Sequence, residues 1–157
     1  MRCALVLPVW AEILLNEMPR SGETSSAAQG SERGSDLRTC MVLLAHGSRE
    51  PRWREPFERI YLQMRRDLGD DVRIAYMEFT GPTLFDVAEE CSKVDVRKMR
   101  ILPLFMAAGA HLVTDVPEQA QQLRELYPRM EIEILPPIGE DSRMILLVQQ
   151  IIRDRAA

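Results

Sequence analysis

The 157 residues include only three cysteines and two histidines, and no two cysteines stand at C-x-x-C spacing. Neither a disulfide framework nor a thiolate zinc site can be assembled from sequence neighbours, and a reducing, cytoplasmic setting is expected. Positive charge is not in surplus either. Lys plus Arg number 20 against 24 Asp plus Glu, a net charge of −4, so no basic field points to nucleic acid or a membrane surface. No apolar run reaches membrane-spanning length. The opening CALVLPVWAEILL is interrupted by Pro8 and Glu12 and preceded only by Arg2, which argues against an export signal. The patterns G-x-x-x-x-G-K-[ST], G-x-G-x-x-G and G-x-S-x-G are all missing, so nucleotide hydrolysis, dinucleotide redox chemistry and ordinary serine hydrolysis lack their usual parts.

What is present is an ordinary globular composition, 46% apolar and 28% charged, enough for one compact domain. The stretch RSGETSSAAQGSERGSDLRT has no apolar period and cannot bury enough surface to offset its ordering entropy. Residues 1–40 are therefore expected to be a disordered, dispensable extension, with Met41 a candidate native start and 41–157 the folded domain. From Met41 onward short apolar runs alternate with helical patterns, the signature of βα units. Strands are expected over Met41–Ala45, Val72–Met77, Met99–Phe105 and Ile132–Leu135. The first helix is expected from about Glu55 to Leu68, with Phe57, Ile60, Tyr61, Met64 and Leu68 on one face. A second begins after Gly81-Pro82 and turns Leu84, Val87, Ala88, Cys91 and Val94 inward; a third begins near Asp115, a candidate cap, and buries Ala120, Leu123 and Tyr127. The last follows Asp141 or Ser142 and should bury Met144, Leu147, Val148 and Ile151.

The first and third runs are almost continuously apolar, as central parallel strands are, whereas Glu131-Ile132-Glu133-Ile134 alternates and the second run contains Arg73. Right-handed crossovers then give an α/β fold with a four-stranded parallel sheet in the order 2-1-3-4, helices on both faces, a flavodoxin-like arrangement whose strand order reverses between strands one and three. Pro103 should loosen the end of the third strand.

Both histidines fall after strands, His46 after the first and His111 in the loop after the third, so both should emerge at the carboxyl edge where ligands bind in such folds. Neutral imidazole accepts protons or ligates a divalent metal near pH 7. Glu78, at the end of the second strand, could add a base or a counter-charge. In GSREPRWR, Arg49, Arg52 and Arg54 follow His46 closely, and guanidinium forks suit a ligand with several carboxylates. The small residues of MAAGAH let backbone approach a flat ligand.

AHGSREPRWREPFE, YMEFTGPTL, PLFMAAGAHLVTDVP and the closing PPIGED together resemble the single-domain CbiX-type sirohydrochlorin chelatases over almost all of residues 41–157. The resemblance implies one half of a class II tetrapyrrole chelatase fold and a lyase that inserts cobalt or ferrous iron into sirohydrochlorin, in cobalamin or sirohaem biosynthesis, without ATP. It implies no permanent cofactor, the metal being the substrate. It makes His46, His111 and Glu78 the catalytic residues, with His46 and His111 holding the metal or taking pyrrole protons. Ser48, Arg49, Arg52 and Gly109 are the expected substrate-binding residues. A single A-H-G and a single G-x-H block imply a homodimer, since larger members carry two halves facing a cleft. A metal or tetrapyrrole carrier with the same cleft and no turnover is the rival reading. A histidine phosphatase is disfavoured, because Ala45 rather than Arg precedes His46.

Overall fold

The structure is a computed structural model that describes residues 38–156; expectations placed on residues 1–37 lie outside the described residues. The strands are β1 Thr39–Ala45, β2 Val72–Tyr76, β3 Lys98–Pro103 and β4 Glu131–Ile134. All pair in parallel, in the order β2-β1-β3-β4 expected from the sequence. β1 starts at Thr39 rather than Met41, with buried Cys40 in register with Met99. β3 ends at Pro103, short of the expected Phe105, since proline has no N–H to extend the ladder.

The helices are α1 Pro51–Leu68, α2 Leu84–Lys93, the single turn α3 Ala110–Val113, α4 Asp115–Leu126 and α5 Ser142–Ala156. α1 begins before the expected Glu55 because Pro51 sits in its first turn, where a missing N–H costs nothing. α2 is closed by a capping box: Asp86 N–H donates to Thr83 Oγ1 at 3.2 Å and Thr83 N–H to Asp86 Oδ2 at 2.7 Å. The Thr83 backbone N–H, with the Thr83 hydroxyl donating to Asp86 Oδ2 at 2.8 Å, holds the Asp86 carboxyl below the usual range. Asp115 is not the cap of α4 but its first helical residue, where a negative charge meets the positive helix end.

Strand alternation divides the core in two. Cys40, Val42 and Leu44 of β1, with Met99, Ile101 and Ile132, pack against Leu84, Val87, Ala88 and Cys91 of α2 and Val116, Ala120 and Leu123 of α4. Cys91 is core, as its helical position suggests, and both Cys40 and Cys91 are free thiols. Val94, expected inward, lies past the end of α2 and is exposed. On the opposite face Leu43, Ala45, Val72, Ile74 and Tyr76 meet Phe57, Tyr61 and Met64 of α1. Ile60 and Leu68, expected on that face of α1, are exposed.

Beyond α1 this second face carries a polar ladder instead of a helix. Lys98 Nζ lies 2.8 Å from Glu131 and 2.9 Å from Glu133, and Arg100 Nε 3.0 Å from Glu133. The expected burial of Met144, Leu147, Val148 and Ile151 does not occur. α5 leaves the sheet through a 3₁₀ turn, Ile138–Glu140, and packs chiefly on that turn. Met144 is half-buried, while Leu147, Val148 and Ile151 are 42–53% exposed and Ile145, Leu146 and Ile152 are 61–63% exposed. An apolar helical period specifies a face that needs cover; it does not say what supplies it.

Candidate functional site

Ala45 is the last residue of β1 and fully buried, and His46 is the first to leave the sheet. The β1–β2 ladder continues past both strand ends. Met77 N–H donates to Ala45 O at 3.0 Å and Glu78 N–H to His46 O at 3.1 Å. The second of these rungs joins the two residues directly, with His46 Nε2 3.2 Å from Glu78 Oε1. The side chains are 48% and 37% exposed, so the pair stays open to solvent and to a ligand. Gly47 makes the exit possible: its φ is +92°, and a Cβ there would run into the Glu78 carbonyl. A carboxylate beside an imidazole orients the ring and presents an oxygen next to its nitrogen. The pair can therefore take up a proton or offer nitrogen and oxygen donors to a cation.

The pair opens into a cleft of about 370 Å³ lined by His46, Gly47, Ser48, Arg49, Trp53 and Phe79. Ser48 Oγ accepts a hydrogen bond from Glu50 N–H at 3.0 Å and shapes the turn into α1. Arg49 is exposed, its guanidinium 5.2 Å above the Phe79 ring centre. The loop ends at Glu50, so Arg52 and Arg54 belong to the first turns of α1 and not to a loop. Arg52 is exposed there, whereas half-buried Arg54 donates to Thr80 Oγ1 at 2.9 Å and ties α1 to the β2 exit.

The β3 exit reaches the same edge through Phe105, whose ring meets His46 edge-on with centroids 6.5 Å apart. Gly109 is exposed, and its carbonyl accepts from Leu112 and Val113, opening α3. His111 is the second residue of α3 rather than a loop residue; its side chain lies outside the described residues. The β4 exit closes on this segment. Gly139 N–H donates to Phe105 O at 2.9 Å, and a Cβ at Gly139 would collide with the Met106 backbone. That close approach accounts for a glycine in PPIGED. Among the described residues no three metal-ligating side chains converge, so the donor set there is the His46–Glu78 pair. A larger hollow of about 530 Å³ lies on the open sheet face, between Met41 and Leu102 and the β4 exit from Leu135 to Arg143.

Three aromatic residues at the site, Trp53, Phe79 and Phe105, are not among the site residues expected from the sequence. The available signal was an aromatic residue directly after Glu78 and before Gly81-Pro82, at a strand exit where a buried role is not expected.

By architecture this is an open parallel α/β unit whose functional groups gather at the carboxyl edge of the sheet. The chain belongs to the CbiX family, whose pattern matches residues 40–155. A sirohydrochlorin ferrochelatase of Priestia megaterium is 26% identical over 118 residues, covering 74% of this chain and 44% of its own length. A sirohydrochlorin cobaltochelatase of Sulfurisphaera tokodaii is 26% identical over 114 residues, covering 73% of this chain and 91% of its own. The chain thus spans under half the length of the first relative and nearly all of the second. Among solved structures, a CbiX protein from Marinobacter aquaeolei VT8 superposes with a TM-score of 0.70 at 31% identity, covering 75% of this chain and 94% of that one.

Proposed function

We propose that this chain is a sirohydrochlorin chelatase that inserts cobalt or ferrous iron into the macrocycle without ATP. The observation that carries the reading is the His46–Glu78 pair, held 3.2 Å apart by the sheet ladder at the mouth of a cleft with an arginine at its rim. The relatives' names supply the substrate class. Insertion exchanges two pyrrole protons for one divalent cation, so it needs proton acceptors and weak metal donors, and no nucleophile or redox centre. His46 takes one proton while Glu78 orients its ring, and His111, from the β3 exit, serves as the second acceptor or metal ligand. Arg49, Arg52, Ser48 and Gly109 meet the macrocycle's periphery. The metal is substrate; no permanent cofactor takes part.

The protein works as a cytoplasmic homodimer; of residues 1–40, expected to be dispensable, Thr39 and Cys40 belong to β1, so the dispensable part is residues 1–37. The uncovered apolar side of α5 supports the dimer, as does a relative with room for two such units in one chain. The two buried free thiols suit a reducing compartment.

The test is insertion followed by absorbance, with cobalt and ferrous iron run in parallel. The parent should insert metal, and His46→Ala and His111→Ala should each lose about a hundredfold or more in rate with melting temperature nearly unchanged. Glu78→Gln should be slowed as well. A double His46→Ala, His111→Ala variant as fast as the parent would sink the mechanism. A parent that binds the macrocycle and never inserts metal would be a carrier.

A further inference from the structure

We propose that Phe79 and Trp53 form an aromatic wall of the His46 cleft that takes one face of a flat conjugated macrocycle, with Arg49 at its rim engaging a peripheral carboxylate. The identity of the ligand rests on the chelatase reading; the features of the wall are independent of it. Phe79 has a φ of +64°, a left-handed conformation that bulky side chains rarely adopt and that persists where surrounding structure enforces it. Burial of the ring does not account for it, since Phe79 is 54% exposed and belongs to neither core cluster. What the conformation achieves is placement: the ring stands 6.5 Å from the His46 imidazole, beside the proton-accepting pair.

Trp53, 72% exposed on the first turn of α1, lines the same cleft and likewise packs into neither core. Two large aromatic surfaces left open on one small cleft mark a binding surface more than they mark a fold requirement. Arg49 fits the same ligand. Its guanidinium carbon lies 5.2 Å from the Phe79 ring centre, within cation–π range, and its N–H groups suit a carboxylate. A flat ring system stacked on this wall lies next to the groups that remove its central protons.

The test uses the full chain carrying Trp10→Phe, which leaves Trp53 as the only tryptophan. Sirohydrochlorin and uroporphyrin, a second flat polycarboxylate, are titrated separately. Trp53 emission should be quenched saturably by both. Phe79→Ala should raise half-saturation and KM about tenfold, the size of one lost aromatic contact, with a much smaller change in kcat, and Phe79→Tyr should restore the parent values. Trp53→Ala, followed by macrocycle absorbance, should weaken binding to a similar extent. If the parent binds and inserts metal but both alanine variants keep its affinity, the wall is wrong and the chelatase reading stands. If the parent binds neither macrocycle, both fall. If either substitution turns a dimer into a monomer in sedimentation, the aromatics are an interface and the wall is overturned.

Discussion

The two faces of the sheet are built on different terms. The face under α2 and α4 is sealed, with Leu44, Leu84, Val116 and Leu123 at 1% exposure or less. The other is sealed only where α1 lies, and past it comes the Lys98–Arg100–Glu131–Glu133 ladder, a hollow beside Leu102, and a helix, α5, that turns its apolar residues to solvent. Within the single chain, stability therefore comes mostly from the first face, and the second is where the molecule is left to meet something else.

Removing matched side chains gives the largest contrast. Leu44→Ala on the sealed face should cost about 2–5 kcal/mol in denaturant unfolding, and Leu102→Ala on the open face about 1 kcal/mol or less; equal losses would erase the distinction. Gly47→Ala comes next. It forces a left-handed conformation and presses on the Glu78 carbonyl, so about 1–3 kcal/mol should be lost together with most of the insertion activity. Val148→Asp on α5 should change the stability of an isolated chain by no more than about 0.5 kcal/mol, yet convert a dimer to a monomer in sedimentation. A parent that is monomeric at working concentration and fully active would leave α5 without the partner assigned to it.

The smallest effect concerns the start of α5. Asp141 accepts from the Arg143 backbone N–H at 2.9 Å and pairs with its guanidinium at 2.7 Å. The guanidinium and that N–H hold its carboxyl down to about 2 from an ordinary 3.8. A carboxyl lowered in the folded state contributes fully above its unfolded value and loses that contribution as pH falls through the folded one. Amide protection at the first turn of α5 should therefore hold from neutral pH to about pH 4 and decline toward pH 2, and Asp141→Asn should remove that part of the decline.

The sealed face was legible in the sequence because its signals are local and redundant. Continuous apolar runs marked β1 and β3 as central, and helical spacing marked Leu84, Val87, Ala88, Cys91, Ala120 and Leu123 as inward. The strand order followed from these together with crossover handedness. The open face was not legible. The period of α5 reads the same whether its cover is its own sheet or another molecule, and the Lys98–Glu131 contact joins residues far apart in sequence. At the cleft, strand ends located His46 and Glu78 without giving their separation, which depends on register. Phe79 was not legible either, because backbone conformation, not residue type, makes it project. α1 starts at Pro51, ahead of the expected Glu55, because proline can open a helix as readily as it can precede one.

The two rungs that join Met77 to Ala45 and Glu78 to His46 also bear on how this segment can vary among relatives. Because the spacing of the acceptor pair is counted in backbone units from the strand, side chains around it can be exchanged while the count cannot. One residue deleted between Tyr76 and Glu78 would bring Phe79 onto the rung opposite His46 and replace a carboxylate with a hydrocarbon ring. Alignments through this stretch should accordingly accept substitutions and reject gaps.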